Sequence, residues 1–223
     1  MIQVEEFVTD EDVSPFRRWF DALDDQAAAW IAVAIDRLGE GNTSNAKAVG
    51  EGVSELRINR GPGYRIYFGW DGQAPRHLAR WRHQTAAAER YPDGVTPLAR
   101  LQSAQGGGKD KEELIVPLTR SFRETVQARA QRDVKFRQAL LGEAMQALLD
   151  GNLEEGRAAL RSCINATIGF EKLGTALGRS PKSLMRMFGP SGNPTTENLL
   201  AVIRVLQAKT GVRLQVRTVA DAA

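Results

Sequence analysis

"GVSELRINRGPGYRIYFGW", residues 52–70, holds two alternating runs on either side of a turn rich in glycine and proline. Alternation at period two belongs to strands with one buried face. "GVSELRI" and "GYRIYFGW" therefore predict a β-hairpin closed at "NRGP". Working back from the hairpin, "DDQAAAWIAVAIDRLGEG" predicts a helix with Trp30, Ile31, Ala34, Ile35 and Leu38 along one side, ended by Gly39 and Gly41. "SPFRRWFDAL" predicts another, capped by Ser14, opened by Pro15, and striped by Phe16, Trp19, Phe20 and Leu23. "MIQVEEFV" at the start alternates like a strand. The order strand, two helices, two strands implies an α+β domain: a three-stranded sheet under a helical hairpin, incomplete because strands are still lacking.

Working forward, the pattern stops. "HLARWRHQTAAAERYPDGV", residues 77–95, has no period, contains both histidines, and runs on to "QGGGKDKEE". Residues 75–113 are expected to be irregular, with the composition of a linker near their end. Beyond them, "LTRSFRETVQARAQRDVKFRQALLGEAMQALLDGN" and "LEEGRAALRSCINATI" are helical in composition and period, and the rest predicts short helices ending in "VRLQV". The expected organisation is a domain over 1–73, an irregular segment over 74–113, and an all-α domain over 114–223.

No run of 18 apolar residues and no signal-like start occur in the 223 residues, so no membrane span is expected and the setting is read as cytoplasmic. Cys163 stands alone, which precludes an internal disulfide, and with one Cys and two His no structural zinc site is expected. No cofactor or metal is expected. The net charge of +3 conceals an asymmetry: residues 1–113 carry 14 Lys/Arg against 18 Asp/Glu, and residues 114–223 carry 16 against 9. The two halves should attract, and the basic one is the candidate for nucleic acid.

The strongest binding signal is "FEKLGTALGRSPKSLMRMF", residues 170–188. Leu173, Leu177, Leu184 and Met187 fit the shared core of a helix-turn-helix. Gly174 fits the close approach of its helices, and Gly178 the turn position with positive φ. Ser180 caps the second helix and Pro181 starts it, leaving Lys182, Ser183 and Arg186 outward, toward a major groove. Arg179, just after the turn glycine, stands where this motif is usually apolar. Residues 169–217 hold eight Lys/Arg and two Asp/Glu, the excess that phosphate contact needs.

"INATIGFEKLGTALGRSPKSLMRMFGPSGNPTTENLLAVI" resembles the HigA-like antidote proteins of bacterial type II toxin–antitoxin modules, over roughly residues 116–217. "GEGVSELRINRGPGYRIYF", with the helices before it, resembles the matching killer proteins, the HigB-like branch of the RelE/ParE superfamily, over residues 1 to about 73. The resemblance implies a killer and its antidote on one chain, an operator-binding homodimer, and an intramolecular contact between the basic stretch 121–149 and the acidic half. It implies ribosome or mRNA as target if the killer is active. It also implies a strand, then "GGGTK", after the hairpin, and neither is visible. The genetic code allows the anomaly to be read one nucleotide forward. Gln84-Thr85 must then give Lys or Arg, and Arg80 to His83 can give Gly-Gly-Gly-Thr. The segment is thus either a frame-shifted remnant or a linker, and His77 and His83 are incidental in both cases.

RNA cleavage of the kind this superfamily performs needs a group to deprotonate a 2′-hydroxyl and cations beside the phosphorane. Arg57, Arg65 and Tyr67 are the hairpin residues with reach, Arg65 and Tyr67 on one face. They fit better as ordinary solvent-face residues or antidote contacts than as catalytic groups. Three readings stay open: a fused pair with killing lost, a helix-turn-helix regulator with a toxin remnant, and an endonuclease restrained by its C-terminal domain.

Overall fold

The computed structural model describes residues 3–9, 11–50, 52–71, 74–83 and 119–217. The chain is mixed α+β: a sheet with helices in its N-terminal part, then a largely helical C-terminal region. It divides into two compact units, Met1–Arg129 and Ala130–Ala223.

In the first unit, β1 (Glu5–Phe7) leads to α1 (Pro15–Ala22) and α2 (Asp25–Gly39), followed by β2 (Ala46–Gly50), β3 (Val53–Ile58), β4 (Tyr64–Asp71), β5 (Ala74–His83) and β6 (Thr119–Ser121). The Ser14 hydroxyl accepts from the Arg17 N–H at 3.0 Å and Pro15 opens α1, as the sequence predicts. Asp24 caps α2 in the same way. Phe16, Phe20, Ile31, Ile35 and Leu38 are buried, together with Leu56, Ile58, Ile66 and Phe68 of the hairpin. The hairpin loop takes positive φ at Gly61, where a Cβ would come within 2.9 Å of the Trp30 ring.

The strand order is β2-β3-β4-β5-β1-β6. This corrects the expectation of an incomplete, three-stranded sheet. β5 lies inside the segment expected to be irregular, pairing antiparallel with β4 and parallel with β1. It has register shifts against β4, so it follows no clean period. The physical reason is that β4 and β1 each present an open backbone edge, and unpaired buried N–H and C=O groups cost more than a poorly patterned strand does. β2 and β6 each pair along one edge only and leave no clear pattern, β2 being mostly exposed and β6 only three residues long. The rest of the anomalous segment, 84–113, lies outside the described residues, as do residues 114–118.

The helical stretch expected from residue 118 begins as a strand and then breaks. α3 (Phe122–Arg132) stops at Asp133, whose extended backbone and carboxylate cap α4 (Val134–Leu149) through the Phe136 N–H at 3.1 Å. Residues 119–129 belong to the first unit. β6 pairs with β1, Phe122 packs edge-on against Phe16 and Phe20, and Arg120 pairs with Asp12 at 3.1 Å. Arg129 is buried under the end of α1, donating to the carbonyls of Phe20 and Leu23 and to Asp25.

In the second unit, α4 packs on α5 (Leu153–Ala166), where a Cβ on Gly156 would meet Leu148. α6 (Gly169–Leu177), α7 (Pro181–Met187) and α8 (Thr196–Thr210) follow. Phe136, Leu140, Leu160, Ile164, Leu173, Leu184, Phe188 and Leu206 form its core. No helix among the described residues is long and apolar enough to cross a membrane.

Candidate functional site

Two sets of residues were expected to carry chemistry. The β3–β4 register sets Glu55 opposite Tyr67 and Arg57 opposite Arg65, on the face opposite Leu56 and Ile66. Arg57, Arg65 and Tyr67 do come together, and they do so around Glu55. Arg57 Nε donates to Glu55 Oε2 at 2.8 Å, and Arg65 donates to Oε1 at 2.6 Å. The Tyr67 hydroxyl reaches Oε1 at 3.4 Å. The Glu55 side chain is 3 % exposed, against 43 % for Arg57 and 35 % for Arg65. Burial pushes its carboxyl up, but hydrogen bonds and charge from Arg57 and Arg65 outweigh that and hold it below the ordinary carboxylate value.

A carboxylate with both oxygens occupied is a poor base for a substrate hydroxyl, and guanidinium groups turned toward it are not aimed at a phosphate. Two arginines and one glutamate leave a single net positive charge on the cluster. Glu55 was missed as a partner, although the signal was present: alternation puts it on the face of Arg57, and the five-residue loop 59–63 fixes Tyr67 opposite it. The side chains of His77 and His83 lie outside what the structure describes. Among the described residues no group of three His, Cys, Asp or Glu could hold a metal ion.

The second set lies on α6, α7 and the turn between them. Gly178 ends α6 with φ 63° and ψ 32°, a left-handed conformation that favours glycine. The chain then doubles back so closely that a Cβ on Gly174 would lie 2.6 Å from the Arg179 carbonyl oxygen. The Ser180 hydroxyl accepts from the Ser183 N–H at 3.2 Å and Pro181 starts α7. Leu173 and Leu184 are fully buried at the contact, while Leu177 and Met187 are half-buried. Arg179 is exposed, so the turn keeps its shape without an apolar residue there.

Lys182 and Arg186 are exposed and Ser183 is half-buried. Ser180 is exposed, but its hydroxyl is committed to the cap. From behind, Arg161 holds α7 in place: it donates to the Met185 carbonyl at 2.9 Å and stacks over Phe170. This support is not legible in the sequence, because a buried arginine on α5 reads as one more basic residue. Past α7, a Cβ on Gly192 would collide with the Met187 carbonyl, so the loop to α8 is also tightly drawn. The arrangement is a short, rigidly held helix with its cations facing outward.

No family model matches the chain, and no solved structure matches it. It is similar to an uncharacterized protein of Haemophilus influenzae, 43 % identical over 53 residues, which make up 23 % of this chain and 54 % of that protein. The chain thus spans about half the length of the curated relative it matches.

Proposed function

We propose that the chain is a fused toxin–antitoxin protein: a HigA-like helix-turn-helix regulator that binds operator DNA as a homodimer, joined to a RelE/ParE-like killer domain whose activity is lost. The observation that carries the first part is the α6–α7 geometry, with Gly178 left-handed, Gly174 under the Arg179 carbonyl, and Lys182 and Arg186 outward. A recognition helix needs that presentation, and the eight Lys/Arg of residues 169–217 supply the phosphate attraction.

Loss of killing is supported by the cluster on β3 and β4, where Glu55 takes up the cations that a phosphorane would need. The lysine that the family resemblance implies has no counterpart in this sequence. Neutralisation in cis is supported by residues 119–129, which pack into the first unit through Phe122 and Arg129. A tethered segment of this kind acts at a high effective concentration.

The test is fluorescence anisotropy of the full chain on the DNA upstream of its own coding sequence. Specific binding should exceed binding to random duplex by about a thousandfold or more at physiological salt, and weaken steeply as salt rises. Equal affinity for both duplexes would sink the operator reading.

A further inference from the structure

Arg179 puts a charge in the turn of α6 and α7, where a helix-turn-helix usually has an apolar residue. Its main chain is held against α6. The N–H donates to the Gly174 carbonyl at 2.9 Å, and its own carbonyl oxygen lies 2.6 Å from where a Gly174 Cβ would stand. Its side chain is exposed, and no acid among the described residues pairs with it. The contact between the two helices is closed without it, by the buried Leu173 and Leu184. The packing of the turn does not use this guanidinium, and its counter-charge has to come from outside the chain.

We propose that Arg179 binds a backbone phosphate of the DNA, a contact that the usual helix-turn-helix pattern does not supply. It rests on the operator reading of α6 and α7. In that geometry the first helix crosses the sugar–phosphate backbone and the second enters the major groove. The turn between them passes the wall of the groove, where the phosphates stand. Lys182 and Arg186 lie within α7 and travel with it toward the base edges. Arg179 cannot follow them, because both of its main-chain groups are held at Gly174 of α6. That places its side chain at the backbone rather than in the groove.

The chemistry agrees with that position. A guanidinium keeps its charge at any working pH, is weakly hydrated, and meets two oxygens of a phosphate with a planar fork. Such a contact adds affinity and fixes orientation, but carries no sequence information. Arg179 and the cations of α7 therefore divide the work: one grips any duplex, the others tell duplexes apart.

The experiment is anisotropy of the full chain, wild type and Arg179→Leu, on the DNA upstream of its coding sequence and on a random duplex of equal length, over a series of salt concentrations. Arg179→Leu should lose about tenfold in affinity on both duplexes alike, and the slope of log affinity against log salt should fall by about one. Its helical circular dichroism should stay that of the wild type. Arg179→Gln should repeat the result with no apolar group added, and Arg179→Lys should restore the slope. A loss confined to the upstream DNA would make Arg179 a base reader and overturn the phosphate contact. Unchanged affinity and slope in Arg179→Leu and Arg179→Gln would overturn any contact with DNA. Equal affinity of the wild type for both duplexes would sink the operator reading alone, since the random duplex still reports the slope. A wild type that binds neither duplex would overturn both.

Discussion

Arg65 on β4 and Arg186 on α7 bring the same charge to two different fates. Arg65 ends 2.6 Å from a buried carboxylate on the neighbouring strand, and its pKa is raised by that hydrogen bond. Arg186 lies exposed on a short helix, and no acid among the described residues pairs with it. Both regions hold their cations on rigid elements: a paired hairpin in one, and a helix fixed by a tight turn and by Arg161 in the other. Rigidity is therefore common to both regions. What distinguishes them is whether the fold itself supplies the counter-charge.

The largest effect should come from removing the open cations. Lys182→Ala with Arg186→Ala should weaken operator binding by about 3 kcal/mol, roughly a hundredfold, and flatten its salt dependence, both read by anisotropy. Unchanged affinity would mean that α7 does not meet DNA, and the two regions would then be alike.

The next effect is on the closed cluster. Glu55→Gln removes the carboxylate that two arginines share, and should cost about 2 kcal/mol in denaturant unfolding, held to that size by the exposure of both guanidinium groups. The folded Glu55 carboxyl titrates below its ordinary value, so its contribution is complete above that value and is lost as pH falls through the folded one. The cost of Glu55→Gln should accordingly shrink in acid. The same variant frees the cations, which sharpens the functional contrast: growth should stay normal when either the wild type or Glu55→Gln is expressed. Arrest by Glu55→Gln that Arg65→Ala abolishes would show a dormant nuclease.

Local signals in the sequence were strong where one residue decides a backbone shape. Ser14, Pro15, Gly178 and Ser180 each satisfy or relax a specific backbone group, and their structures follow from chemistry within four residues. The hairpin was legible for the same reason. β5 was not, because its place is set by the open edges of β4 and β1, which are distant in sequence and leave no pattern in "APRHLARWRH". Glu55 and Arg161 lie between these extremes. Each is an ordinary charged residue until its neighbours are known, and pairing or burial then gives it a role. The outward cations of α7 were readable from motif and charge together, whereas the partner that occupies Arg57 and Arg65 required a register.

The smallest effect has the opposite sign and concerns the sheet's other buried acid. Glu6 on β1 is fully buried, and its Oε2 accepts from the Ser14 hydroxyl at 2.7 Å. Oε1 and the Thr125 hydroxyl each lack a hydrogen-bond partner. Burial pushes this carboxyl up, and the Ser14 hydroxyl with the charges of Arg17 and Arg120 offsets only part of that. Its folded pKa lies above the ordinary value, so the folded state gains relative to the unfolded one below that value and loses as pH rises through the folded pKa. Glu6→Gln keeps an oxygen for Ser14, offers an amide donor toward Thr125, and buries no charge. It should stabilise the chain by about 1 kcal/mol at neutral pH, with the gain vanishing in acid, where Glu6 is itself protonated. Two carboxyls of one sheet would then give opposite pH slopes, set only by whether an arginine reaches them. If Glu6→Gln destabilised the chain at neutral pH, the charge on Glu6 would have to be paired as that on Glu55 is.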